Sequence, residues 1–135
     1  MTLLTWNQAF SVGVRAMDDQ HCILMDAINE LGQALLGGSG REKISELLDQ
    51  LIEFMRMHFW SEEQFMEQAG FAELGHHRAE HHRMLAEMLQ AAHRLQYGEG
   101  LELRPMLSKL HDEFLTHIEV IDRQYGPWLN LHGAS

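Results

Sequence analysis

Residues 44–65 read ISELLDQLIEFMRMHFWSEEQF. Ile44, Leu47, Leu48, Leu51, Phe54 and Met55 recur at three- and four-residue steps, the period of one helix face. The same face continues through His58, Glu62 and Phe65. An imidazole and a carboxylate four residues apart lie about one turn apart on that face, where apolar side chains are expected. Burying such a pair is costly unless something satisfies it. The stretch therefore announces a long amphipathic helix whose buried stripe carries a polar demand.

The rest of the chain repeats the pattern. His21, Leu24, Ile28, Leu31 and Leu35 form a stripe on a first helix, predicted over about 19–37, with Asp18 or Asp19 as its N-cap. The turn Gly37-Gly38-Ser39-Gly40 ends it. The second helix is predicted over about 42–67 and is broken by Gly70. A third, about 73–97, turns His77, His81, Met84, Leu85, Met88, Ala92 and Leu95 inward. Gly98 and Gly100 bracket the next loop, and Pro105 falls in the first turn of a fourth helix, about 103–125, where its missing N–H costs little. Leu103, Leu107, Leu110, Phe114, His117 and Ile121 make that stripe. Residues 1–18 read as an extended arm, with Trp6, Phe10, Val12 and Val14 available to pack across the helices. Four amphipathic helices with short connections predict an all-α, up-down-up-down antiparallel four-helix bundle, with 1–135 as a single domain.

Bulk composition narrows the function classes. Of 135 residues 45% are hydrophobic, enough for one core, and 20 acids against 10 Lys plus Arg give a net charge of −10. With no basic run, neither nucleic acid nor an anionic membrane is an expected partner. No stretch approaches a membrane span of ~20 apolar residues, and the N-terminus lacks the basic and apolar regions of a signal peptide. A cytoplasmic monomer is the expectation. The single cysteine, Cys22, excludes an internal disulfide and thiolate clusters. The nine methionines fall at helical spacing among leucines and read as core filler.

The chemistry lies in the histidines. His77 and His81 repeat on the third helix the four-residue spacing of His58 and Glu62. His21 and His117 add one donor each from the first and last helices, so the set closes a four-sided cage. Imidazole nitrogens with carboxylate oxygens suit a borderline-hard transition metal. Mononuclear zinc needs only four ligands and leaves donors over. A carboxylate from the fourth helix is undecided by spacing, since Glu119 and Asp122 are both available and Asp122 stands ~140° from His117 on an ideal helix. A π-bulge or bend would bring it round. His76, His82, His93, His111 and His132 fall on other faces and are expected to be solvated.

The chain resembles the hemerythrins, most closely their bacterial branch. The resemblance runs from Trp6 and Phe-Ser-Val-Gly-Val (10–14) through Asp-Asp-Gln-His (18–21), Leu24 and Ile-Asn-Glu-Leu (28–31). It continues through His58-Phe59, Glu62-Glu63, Met66 and His77-x3-His81, and closes with His117-Ile118, Asp122 and Tyr125-Gly126. It implies two non-haem iron ions bridged by an oxo or hydroxo group. His77, His81 and His117 would hold one iron and His21 and His58 the other. Glu62 and Asp122 would bridge them. The iron with fewer protein ligands would keep a position for dioxygen. Leu24, Ile28, Phe59 and Phe114 are expected nearest that position, with Phe114 where the family more often carries leucine.

The resemblance implies reversible dioxygen binding for oxygen storage or delivery, without catalysis, with an oxygen-using enzyme as the partner served. Two other readings stand beside it. One is an oxygen- or redox-sensing domain with a signalling partner. The other is a di-iron oxidase handling peroxide or nitric oxide. Carboxylate-rich oxygenase and ferritin sites use paired Glu-x-x-His motifs, of which this chain offers only Glu73-x-x-His76.

Overall fold

The computed structural model describes residues 4–6, 8–97, 103–122, 127 and 131. Four α-helices account for most of them: α1 Arg15–Leu36, α2 Arg41–Gln68, α3 Leu74–Gln96 and α4 Leu103–Thr116. No strand occurs among the described residues. The architecture is the expected four-helix bundle. The connections 37–40 and 69–73 are too short for anything but antiparallel neighbours. α1 packs against α2 and α4, and α2 against α3.

The turns between helices have identifiable causes. Gly38 and Gly70 have positive φ (71° and 66°), a region costly for side chains with a Cβ. They let the chain reverse so that Ser39 N–H reaches Ala34 O at 2.9 Å and Phe71 N–H reaches Met66 O at 2.9 Å. Both bonds satisfy carbonyls left open at a helix end.

The core lies along the bundle axis. Leu24, Ile28, Leu31, Leu47, Leu48, Leu51, Leu107, Leu110 and Phe114 are buried, together with Met17, Met25, Met55, Met66, Met84 and Met88. These methionines fill space, as their spacing predicts. Met57 differs, at 42% exposed on the outer face of α2.

The N-terminal segment departs from the sequence reading. Helix α1 starts at Arg15, with Val14 in the N-cap position and no side-chain cap, whereas the sequence placed the start near residue 19. Asp18 is inside the helix and does not cap it. Its carboxylate points back at the arm, accepting from Ser11 Oγ at 2.6 Å and Val12 N–H at 2.9 Å. Serving an upstream donor removes the need for Asp18 to leave helical geometry. The arm is not uniformly extended, since Gln8–Phe10 form a 3-10 turn. Asn29 holds it further along by accepting from Leu4 N–H (2.7 Å) and donating to Leu4 O (2.6 Å).

α4 ends at Thr116 and continues as a π-helical turn, His117–Asp122. In that geometry backbone bonds span five residues instead of four. Positions five apart therefore follow one another more nearly along the axis, easing the angular mismatch between 117 and 122. The side chain of Asp122 lies outside the described residues, as do residues 123–126, where the sequence reading ends the fourth helix.

Candidate metal centre

Among the described residues, six polar side chains are buried inside the apolar bundle. His21, His58, Glu62, His77, His81 and His117 are each no more than 2% exposed. Each reaches the interior because it occupies a stripe position of its helix, so the local amphipathic pattern aims all six at one axial region.

Glu62 is the centre of the arrangement. Its Oε1 is 2.9 Å from His58 Nε2 and 3.5 Å from His81 Nε2, and its Oε2 is 3.7 Å from His21 Nε2. Two groups of three donors form around it, His21–His58–Glu62 and Glu62–His81–His117. Within each group the ligand atoms lie within 4.8 Å of one another. One carboxylate thus belongs to two adjacent ligand clusters, one facing α1 and the other facing α3 and the π turn.

His77 stands beside the second cluster. Its ring centroid is 6.1 Å from that of His81 and 6.0 Å from that of His117, and its Nδ1 donates to the Glu73 carbonyl at 3.3 Å. The structure brings it to the site's edge but not into either tight group. His76, His82 and His93 are exposed, as their helical phase predicts. His111 departs from that expectation. It is mostly buried, with Nδ1 at 3.1 Å from Asp112 Oδ1. His132 lies outside the described residues.

The outward faces of the imidazoles are also occupied. His58 Nδ1 lies 2.6 Å from Gln20 Oε1, and His81 Nδ1 lies 3.0 Å from Glu63 Oε2. An amide oxygen and a carboxylate oxygen only accept, so each Nδ1 carries a proton and Nε2 is the nitrogen turned toward the site. There His58 Nε2 meets Glu62 Oε1 and His81 Nε2 lies 3.1 Å from His117 Nε2, contacts that hold a proton in the metal-free protein and that a cation can take over. Imidazole nitrogens and a carboxylate converging in a buried interior fit a cation, and nitrogen–oxygen donors fit a transition metal. Gln20 and Glu63 were visible in the sequence only as neighbours of ligand candidates. Their roles depend on contacts between helices, which spacing along one helix cannot report.

Burial alone would raise the Glu62 carboxyl. The charge of His58 and hydrogen bonds from His21, His58 and His81 outweigh it and hold Glu62 well below the usual carboxylate range. An ionised carboxylate at the shared position is what cation binding requires.

Apolar rings stand against the cluster, with Phe59 stacked on His81. Leu24, Ile28, Phe59 and Phe114 are buried. The Phe114 ring meets the His21 ring edge-on at a centroid distance of 6.1 Å. A cavity of about 190 Å³ lined by Glu80, Arg83, Asp112, Glu113, Thr116 and His117 opens from the surface toward the site. No described helix is long and apolar enough to cross a membrane.

A helical bundle with a buried, histidine-rich double cluster defines the class as a metal-binding four-helix protein. Comparison with known proteins narrows this. The protein-family profile described as "Hemerythrin HHE cation binding domain" matches residues 12–129. The chain is 34% identical to the bacteriohemerythrin of Methylococcus capsulatus, over 96% of this chain and 99% of that one. It is 29% identical to the bacteriohemerythrin of Stenotrophomonas maltophilia, over 98% and 85%. A crystal structure of wild-type hemerythrin superposes with a TM-score of 0.88 at 32% identity, covering 95% of this chain and 98% of that chain. A hemerythrin point mutant gives 0.90 at 34%, covering 96% and 98%. The chain belongs to the hemerythrin family.

Proposed function

We propose that this protein binds dioxygen reversibly at a non-haem di-iron centre and serves oxygen storage or delivery. The observation that carries the reading is the position of Glu62, shared by two histidine clusters inside one apolar bundle. His77, His81 and His117 would hold one iron, and His21 and His58 the other. Glu62 and Asp122 would bridge them. When bound, the ferrous pair supplies two electrons to dioxygen and recovers them on release.

The chain's own residues support a carrier more than a catalyst. Five imidazoles and two carboxylates place few negative charges on the metals, and a site of low anionic charge favours reversible electron transfer over high-valent chemistry. Leu24, Ile28, Phe59 and Phe114 exclude water, which limits the loss of electrons to solvent-assisted oxidation. Gln20 and Glu63 accept hydrogen bonds from Nδ1 of His58 and His81, which turns both Nε2 atoms toward the metals.

Repeated oxygen cycles test the reading. Iron-loaded, reduced protein equilibrated with air and then with argon should release nearly the oxygen it took up, cycle after cycle. Net consumption of oxygen with formation of hydrogen peroxide would identify an oxidase.

One feature of the fold favours a second reading, a sensor. Asp18 grips Ser11 and Val12 of the arm, and Gln20, two residues on, contacts His58. A change at the centre that moves α1 would reach the arm within one turn. Unequal proteolysis of the arm in anaerobic and oxygenated protein would favour this role, and equal proteolysis the carrier.

A further inference from the structure

The two histidine clusters differ in the groups that support them from behind. His58 leans on a neutral amide, Gln20, at 2.6 Å. His81 leans on a carboxylate, Glu63, at 3.0 Å. That carboxylate is itself fixed: Arg78 Nε donates to Glu63 Oε1 at 3.2 Å, and Arg78 Nη2 donates to Glu67 Oε2 at 3.2 Å. The Glu63 side chain is 17% exposed, whereas those of Arg78 and Glu67 are 46% and 58% exposed. The buried end of this chain of contacts therefore lies at His81, and the outer end at the surface.

We propose that Glu63, clamped by Arg78, is a positioning residue that fixes His81 with its Nδ1 protonated and makes the metal position served by His81 and His117 the tighter of the two. The inference rests on the two-metal reading of the site. Arg78 occupies Oε1, so Oε2 is left to accept from His81. A hydrogen bond to an ionised acceptor is stronger than one to a neutral acceptor and leaves the opposite ring nitrogen more basic. His81 thereby becomes a better donor to a cation than His58, whose acceptor is uncharged. The geometry also spans helices, since Glu63 belongs to α2 while Arg78 and His81 belong to α3. The ligand is oriented from a neighbouring helix and not by its own turn.

The test uses cobalt(II), which reports occupancy through its visible bands, with chelator competition to give affinity. Wild-type protein should take up two cobalt ions in two resolved steps. Glu63→Gln keeps an acceptor but removes its charge, and should weaken the tighter step by roughly tenfold and shift its cobalt bands. Glu63→Ala removes the acceptor and should weaken it by up to roughly a hundredfold. Glu67→Gln breaks the other contact of Arg78 without touching His81, and should leave both steps unchanged. Melting of the metal-free variants separates a folding defect from a metal effect. If Glu63→Gln or Glu63→Ala folds but binds cobalt as the wild type does, the inference fails and the two-metal reading stands. It also fails if Glu67→Gln loses as much affinity as Glu63→Gln. Wild-type protein that binds fewer than two ions overturns the two-metal reading and the inference with it.

Discussion

The ring of Phe59 lies face to face on the imidazole of His81, with centroids 3.9 Å apart and planes 5° apart. Phe59 is buried, so it holds His81 from its flat side while Glu63 holds it from its edge. Truncating Phe59 to Ala should cost about 3–5 kcal/mol through lost burial and the cavity left behind. It should also loosen His81 and reduce metal retention. Chemical denaturation of metal-free protein, paired with metal analysis after dialysis, measures both effects. A stability loss with full metal retention would limit Phe59 to packing.

Glu62 should be the variant that affects both metals. It approaches His21, His58 and His81, so Glu62→Ala removes a donor from both clusters. His58→Ala should first cost the metal on the α1 side, and His81→Ala or His77→Ala the metal on the other. Iron per chain, measured after identical loading, should fall furthest in Glu62→Ala. Unchanged iron content in all four variants would remove these residues from the ligand set.

Phe114 sets its ring edge against His21. Leucine there keeps the apolar character but opens space beside the cluster, at a cost of about 1 kcal/mol in stability. Oxygen association and autoxidation should both quicken by several-fold in Phe114→Leu, read by stopped-flow mixing and by the decay of the oxygenated form. Identical kinetics would show that the ring does not control access.

The fold was legible because hydrophobic periodicity reports directly on helix faces. The stripe from Ile44 to Phe65 marked α2, and Gly38 and Gly70 marked the turns where a positive φ was needed. The start of α1 was misread because Asp18 is a good N-cap by type, and nothing local says that its carboxylate serves Ser11 and Val12. The buried histidines were legible for the same reason as the leucines beside them. The hydrogen bonds from His58 to Gln20 and from His81 to Glu63 were not, since each joins residues far apart in the chain. The π turn after Thr116 was one of two ways to bring Asp122 round, and nothing in the spacing chose it over a bend.

Surface charge gives a prediction with a defined pH course. The Glu80 carboxyl is lowered by its hydrogen bond to Arg83, against an opposing contribution from burial. Arg83 also reaches Glu87 and Glu113. A lowered folded-state pKa means the stabilisation is complete above the ordinary carboxylate value and is lost as pH falls through the lower, folded one. The Arg83 and Glu80 side chains are 43% and 27% exposed, so solvent screening holds the benefit to about 1 kcal/mol or less. Arg83→Gln should therefore melt slightly below wild type at neutral pH, and the two curves should converge in strong acid. A constant offset across the pH range would assign the loss to packing of the arginine stem.

The visible spectrum of iron-loaded protein, taken reduced under argon, then in air, then after purging, tests the central claim most directly. A band that appears with air and disappears on purging is the expected result. Direct and irreversible conversion to a ferric spectrum, or no iron-dependent band at all, would contradict reversible oxygen binding at a di-iron centre.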